Sequence, residues 1–191
     1  MEEKLKNPKQ NLSIFQHFFY DYGRYHANNT NIIIHVICVP WIVVSLLRLT
    51  EYLSKEKFGL EFNIGYILIA LTSVLYLQVE LFVGMLTICQ NIFLNHYFSN
   101  NHVMPNDSFI SETQFWLAVH VICWIFQFIG HGVFEKRKPA LMDNIFLTLN
   151  APIFVNLEIL YFLTGYRKEE LNETKKYIMY DIKRFKEGYI N

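Results

Sequence analysis

A long internal part of the chain carries no basic residue, since neither lysine nor arginine occurs between Lys57 and Lys136. The whole chain is 52% apolar and only 18% charged, whereas soluble domains usually carry about 25% charged residues. The stretch contains five acids, Glu61, Glu80, Asp107, Glu112 and Glu135. Charges gathered on either side of an apolar centre are typical of a bilayer-embedded chain, so we predict a small integral membrane protein.

The sequence contains four apolar segments, at residues 32–47, 64–98, 115–134 and 145–163. Residues 11–27 place aromatic side chains at helical spacing and predict an N-terminal amphipathic helix at the membrane interface. The charged residues 164–191 predict a cytosolic tail. We therefore predict one all-α domain over residues 1–191, a polytopic membrane helix bundle with roughly four to five apolar segments.

The number of membrane crossings depends on how residues 64–98 fold. They form either a tight hairpin that turns near residues 78–80 or one tilted crossing with an interfacial tail. Basic residues of short loops prefer the cytoplasmic side, and placing Arg48–Lys57 and Lys136–Lys138 together on that side favours the single crossing. The proline-containing segments 32–47 and 145–163 are then re-entrant or shallow, and both termini are cytoplasmic.

Three of the seven histidines are expected close to this basic face: His26, His35 and His131. Imidazole suits iron, zinc and copper, and open catalytic sites commonly use three protein ligands. His120 is the weakest fourth candidate, since it lies eleven residues before His131, about 16 Å along an unbroken helix. It approaches the others only if Gly130 breaks the helix.

Other polar residues adjoin His131 in the sequence. Gln127 and Glu135 lie four residues before and after it, on the same helical face. Either side chain can orient the histidine, and Glu135 can alternatively complete a two-histidine, one-carboxylate site. The basic run Lys136–Lys138 is suited to a carboxylate or phosphate head group, or to anchoring in anionic lipid.

Two segments resemble a family of small endoplasmic reticulum membrane proteins, the 2-hydroxy fatty acid dioxygenases. One is Tyr25–His35 with the following Val39-Pro40, and the other contains the string GHGVFEKRKPAL at residues 130–141, followed by Ala151-Pro152. The resemblance implies an Fe(2+)-dependent enzyme that uses O2 to shorten 2-hydroxy fatty acids by one carbon in phytosphingosine breakdown.

By position, the family's motif histidines correspond to His26, His35 and His131. The resemblance further implies that the alkyl chain of the substrate extends between the apolar segments. We also hypothesise that Lys136, Arg137 or Lys138 offsets the charge of its carboxylate.

Two other function classes fit the same residues. A non-catalytic membrane protein that organises lipids would use its histidines only for packing, and a metal or proton transporter would need them along a path across the membrane. Acidic and basic residues balance at 17 each, so net charge gives no reason to expect nucleic-acid binding. Membrane lipid is the expected partner, and the sequence identifies no protein partner.

Overall fold

The computed structural model describes residues 8–105, 110–142 and 144–188. Within these ranges every regular element is helical and no strand occurs, which confirms the predicted all-α class. The α-helices are α1 (Pro8–Asn11), α2 (Ile14–Gly23), α3 (Asn29–Tyr52), α4 (Gly65–Val79), α5 (Leu81–Asn100), α6 (Glu112–Ile129), α7 (Ile145–Leu149), α8 (Ala151–Thr164) and α9 (Lys168–Lys186). Two of them, α3 and α6, continue into π-helical turns at Leu53–Lys57 and Gly130–Glu135, and a short 3-10 helix covers Ala140–Met142.

Helices α3 and α6 pack against each other in antiparallel directions. The His35 and His131 rings lie 5.0 Å apart at one end. Further along both helices, Ser45 Oγ and His120 Nδ1 are joined by a 2.9 Å hydrogen bond. With their π-helical turns, Asn29–Lys57 and Glu112–Glu135 are long and apolar enough to cross a membrane, which suggests membrane association.

Helix α3 extends past the apolar segment 32–47. Arg48 and Glu51 form an ion pair one turn apart, and Ser99 Oγ donates to Glu51 at 2.6 Å. These charges are satisfied inside the bundle and let the helix continue. Pro40 lies within the helix and does not end it. At the other end, Asn28 is the N-cap, and its side chain accepts hydrogen bonds from two backbone N–H groups.

Residues 64–98 form the hairpin, with a break at Glu80 between α4 and α5. The Glu80 carboxylate caps α5 by accepting from Val83 N–H at 2.7 Å. The two helices approach closely at Gly84, where a Cβ atom would lie 2.8 Å from the Tyr76 carbonyl oxygen. The single tilted crossing favoured by the sequence argument was therefore wrong.

The hairpin also changes where the basic residues lie. Because α3 leads away from His35 and α6 leads towards His131, Arg48–Lys57 and Lys136–Lys138 lie at opposite ends of the helix pair. The premise that they share one side was wrong. Helices α3 to α6 alternate in direction, so the chain at Lys136 returns to the end at which α3 began.

The terminal helices pack together at that same end. Helix α2 begins with a capping box formed by Ser13 and Gln16, and its apolar face is buried against α8 and α9. The predicted segment 145–163 consists of two helices separated at Asn150, and Pro152 lies in the first turn of α8, where proline is tolerated. The core that joins these helices contains Phe15, Phe19, Tyr22, Phe154, Leu157, Leu171 and Ile178.

The outer face of α6 is apolar and exposed. A contiguous apolar surface of this kind marks a membrane or protein contact. Here it lies on a helix that is long enough to span a membrane. Its large exposed side chains are Leu117, Val121, Ile122, Ile125, Phe126, Phe128 and Ile129.

Candidate metal centre

Three histidines from three different elements meet at one end of the bundle. His26 lies in the loop after α2, His35 in the second turn of α3, and His131 in the π-helical turn after α6. One ring nitrogen of each lies within 4.8 Å of the others. The three residues are 8%, 3% and 4% exposed, so the cluster is shielded from solvent.

Backbone carbonyls orient two of the rings. His26 Nδ1 lies 2.8 Å from the Tyr22 carbonyl oxygen, and His35 Nδ1 lies 2.9 Å from that of Asn31. Each carbonyl belongs to the residue four positions earlier, and it can only accept a hydrogen bond, so Nδ1 carries the hydrogen. The Nε2 atoms of both rings are then left with lone pairs, and they face each other at 3.0 Å.

These facing nitrogens fit a shared metal ion. Two lone pairs 3.0 Å apart repel each other unless a cation or a proton lies between them. Two imidazole nitrogens bound to one ion at a right angle, each about 2.1 Å away, are themselves about 3.0 Å apart. The buried Nδ1 of His131 has no hydrogen-bond partner among the described residues, so the third ring also has a nitrogen available.

The surroundings favour the neutral, metal-binding form of the imidazole. Burial, together with the neighbouring His35 and His131 rings, holds the pKa of His26 well below its ordinary value of 6.5. The Tyr22 ring stacks on His26 with centroids 4.0 Å apart. Three neutral imidazoles leave positions on a divalent transition metal for other ligands, so the arrangement can hold a metal that also binds a substrate.

A glycine sets the close approach of α3 to the π-helical turn. A Cβ atom at Gly130 would overlap the Asn31 carboxamide oxygen, and Asn31 is fully buried. Asn31 also donates from Nδ2 to the Tyr25 carbonyl at 3.2 Å. Gly130 therefore does not break the helix and fold His131 back. The helix continues from Gly130 as a π-helical turn, and the missing side chain lets Asn31 pack against it. Such π-helical turns are frequent at functional sites.

Glu135 binds backbone and not the histidine nitrogens. Its two carboxylate oxygens accept from the N–H groups of Ala27 at 2.6 Å and Asn28 at 2.9 Å. Both residues immediately follow His26, so the carboxylate holds the loop that carries this histidine. The position supports an orienting role over the alternative of a third ligand.

A cavity of about 90 Å³ adjoins the histidines. Gln127 lines it and is only 5% exposed, and its Nε2 donor has no hydrogen-bond partner in the part of the chain that the structure describes. The other lining residues are mainly apolar, among them Val39, Ile42, Phe128 and Leu147. The cavity thus combines three potential ligands and one free donor with apolar walls.

The structure does not bring His120 to the other predicted ligands. Its Nδ1 bonds to Ser45, and its Nε2 accepts from Trp124 Nε1 at 3.0 Å. Both ring nitrogens therefore belong to a separate polar contact between α3 and α6. Eleven residues of helix, about 16 Å along its axis, keep this ring away from His131 despite their shared face.

The basic run does not line the cavity. Lys136 and Lys138 are exposed, whereas Arg137 is buried and donates to the Arg24 carbonyl at 3.0 Å. The Arg137 guanidinium also lies over the rings of Tyr25 and Phe185, 4.6 and 4.5 Å from their centroids. Arg137 therefore connects the loop before α3 to α9.

Sequence reasoning missed the residues that hold the histidines in place. Tyr22 and Asn31 each lie four residues before a ligand candidate, a spacing that allows a carbonyl to accept from the ring. Trp124 and Thr148, which also line the cavity, carry no comparable signal, because only the tertiary fold brings α6 and α7 together.

Comparisons with known proteins add to this geometry. The sequence model of the Mpo1-like family, described as 2-hydroxy-palmitic acid dioxygenase Mpo1-like, matches residues 12–163. A curated protein of Saccharomyces cerevisiae (strain ATCC 204508 / S288c), the 2-hydroxy-palmitic acid dioxygenase MPO1, is 37% identical over 141 residues, which covers 73% of this chain and 76% of the yeast protein. No solved structure matches the chain.

Proposed function

Because the chain belongs to the Mpo1-like family of 2-hydroxy-palmitic acid dioxygenases, we propose that it is an Fe(II)-dependent dioxygenase acting on long-chain 2-hydroxy fatty acids. Homology supports an enzyme with a role in fatty acid α-oxidation. The observation that carries the metal part of the proposal is the meeting of three buried histidine nitrogens within 4.8 Å. In this proposal His26, His35 and His131 are the protein ligands.

The proposed reaction removes one carbon from the substrate. The bond between the carboxyl carbon and the carbon that bears the hydroxyl group breaks. One O2 is consumed, and the products are the one-carbon-shorter acid, CO2 and water, so that atoms and electrons balance. Bound Fe(II) supplies the coordination positions and the electron transfer that O2 chemistry requires.

The protein itself binds, orients and shields the substrate. In the described part of the cavity wall there is no lysine or arginine. The bound metal, and not the basic run Lys136–Lys138, would therefore offset the charge of the substrate carboxylate. Gln127 Nε2 would donate to a substrate oxygen, because it is a buried donor that otherwise has no partner. The apolar walls would exclude water from the reacting carbon.

We further propose that this is a multi-pass endoplasmic reticulum membrane protein whose metal centre lies on the cytoplasmic side. Both terminal helices and Lys136–Lys138 lie at the end with the histidines, together with the basic residues of α9. Arg48, Lys55 and Lys57 lie at the other end. The larger number of basic residues near the metal centre favours the cytoplasm for that end.

The direct test uses detergent-purified full chain with 2-hydroxy-palmitic acid, Fe(II) and O2. The proposal predicts formation of the one-carbon-shorter acid, and no product without O2 or after replacement of His35. Absence of this product from the wild-type chain that retains bound iron would overturn the proposed reaction. Absence of both product and bound iron would instead support the non-catalytic alternative.

A further inference from the structure

We infer that the acyl tail of the substrate lies in an apolar groove that runs from the metal centre along α3, and that the far end of this groove limits the chain length. The inference rests on the proposed function and deepens it. It assigns a binding site for a long, saturated hydrocarbon chain to named residues of α3, α4 and α6. It also identifies residues that determine substrate specificity.

The groove consists of two adjoining cavities. The first, of about 90 Å³, begins at His26, His35 and His131. The second, of about 150 Å³, lies between α3 and α4. Five residues line both cavities, so the second continues from the first, and these are Ile42, Val43, Trp124, Thr148 and Pro152.

The length of the groove suits a long acyl tail. Along α3 its wall passes from Val39 through Val43 to Leu47. From His35 to Leu47 the helix rises about 18 Å at 1.5 Å per residue. One leaflet of lipid tails spans about 15 Å, half of the hydrocarbon core of a bilayer, so an extended long-chain tail can lie along this wall.

The groove ends where α3 and α4 pack closely. The wall along most of its length is apolar, which favours an alkyl chain because burial of CH2 groups is favourable. At the far end, Leu47 and Leu68 line the second cavity. A Cβ atom at Gly65, in the first turn of α4, would lie 3.3 Å from Leu47 Cδ2, and it would also lie 2.8 Å from Asn63 Oδ1 and 3.4 Å from Asn95 Oδ1. Asn63 and Asn95 are 8% and 1% exposed. A tail that extended past Leu47 would have to displace these buried polar side chains, which is costly, so the groove has a defined end.

The groove is also accessible from the side. Leu46 and Leu149 line its second part and are 43% and 39% exposed. Both side chains join the apolar outer surface of the bundle. A fatty acid dissolved in the surrounding lipid can therefore enter sideways, without its tail crossing water.

Substitutions at two depths test the groove. Leu68→Phe fills the far end, and Val43→Phe blocks the groove closer to the metal. Ile37→Phe is the matched control, because Ile37 lies on α3, is 59% exposed and does not line either cavity. The substrates are 2-hydroxy-palmitic acid, a longer homologue and a much shorter one, and kcat/KM is measured for each.

We expect Leu68→Phe to lower kcat/KM for 2-hydroxy-palmitic acid and its longer homologue by about tenfold or more, because the larger ring overpacks the end of the groove. The short homologue should be turned over as by the wild type. Val43→Phe should also lower kcat/KM for shorter tails that Leu68→Phe still accepts, and Ile37→Phe should leave kcat/KM for all three substrates unchanged. Bound iron, measured in each variant, reports whether the metal centre is intact.

A gain of activity provides a test that misfolding cannot imitate. Leu68 lines the second cavity, and Leu68→Ala should raise kcat/KM for the longer homologue relative to 2-hydroxy-palmitic acid. If the wild type is active but all variants keep its chain-length profile, the inferred groove is wrong. If the wild type converts none of the substrates, the proposed function itself fails.

Discussion

The His26 and His35 rings meet through their Nε2 atoms at 3.0 Å, although they come from a loop and a helix on either side of Asn28. Each Nδ1 is bonded to a carbonyl four residues earlier. The backbone therefore fixes which nitrogen faces the neighbouring ring. Such hydrogen bonds from the second ring nitrogen are usual for metal-binding histidines, and they prepare the site before a metal arrives.

Replacing Gly130 should disrupt this geometry, whereas replacing Gly132 should not. In Gly130→Ala the new methyl group overlaps Asn31, so α3 and the π-helical turn must move apart. We expect a loss of about 1–3 kcal/mol of stability and weaker metal binding, measured by thermal unfolding in detergent and by metal titration. A Cβ at Gly132 meets no described atom within 4 Å. Equal effects of the two alanine substitutions would contradict the close packing at Gly130.

Glu135→Gln should weaken metal binding without abolishing it. The change removes the charge and replaces one of the two accepting oxygens by an NH2 group, which cannot accept from the backbone after His26. This costs about 1–2 kcal/mol, and loss of such an orienting contact lowers metal affinity by about tenfold or more. Metal titration of the purified protein measures this change.

Glu112→Gln is the matched control for Glu135→Gln. Glu112 also accepts from two backbone N–H groups, those of Val103 and Met104, but at the opposite end of α6. The Glu112→Gln substitution should lower the stability of the fold without changing its metal affinity. Complete loss of metal in Glu135→Gln would show that the carboxylate is a ligand.

Of the three basic residues after Glu135, the buried Arg137 should behave differently from the exposed Lys136. Arg137→Gln removes a buried donor and two cation–π contacts, so we expect about 2 kcal/mol of lost stability. Lys136→Gln changes an exposed charge and should alter stability by less than about 0.5 kcal/mol. Thermal unfolding and the KM for 2-hydroxy-palmitic acid distinguish these roles. A large rise in KM with unchanged stability in Lys136→Gln would restore the carboxylate-binding hypothesis.

The sequence predicted the parts of the fold that depend on local signals. Residues 115–134 approximate α6 because their apolar run is uninterrupted. The extension of α3 past the apolar segment 32–47 does not follow from hydropathy, because Arg48 and Glu51 are charged. Their burial depends on each other and on Ser99, which comes from α5 and cannot be paired with them by spacing.

The candidate site shows the same division between local and tertiary information. Helical spacing correctly separated His120 from His131, and the resemblance grouped His131 with His26 and His35. The role of Arg137 could not be derived, because its partners Tyr25 and Phe185 come from distant parts of the chain. The position of Glu135 against the loop after His26 likewise depends on the packing of α3 against α6.

Iron content tests the central claim most directly. The full chain, purified in detergent and loaded with Fe(II) without O2, should bind about one iron per chain. Replacing His26, His35 or His131 by alanine should abolish this binding, whereas His120→Ala should retain it, because both ring nitrogens of His120 have other partners. Stoichiometric iron that survives loss of each of the three histidines, or iron lost only with His120, would contradict the proposed metal centre.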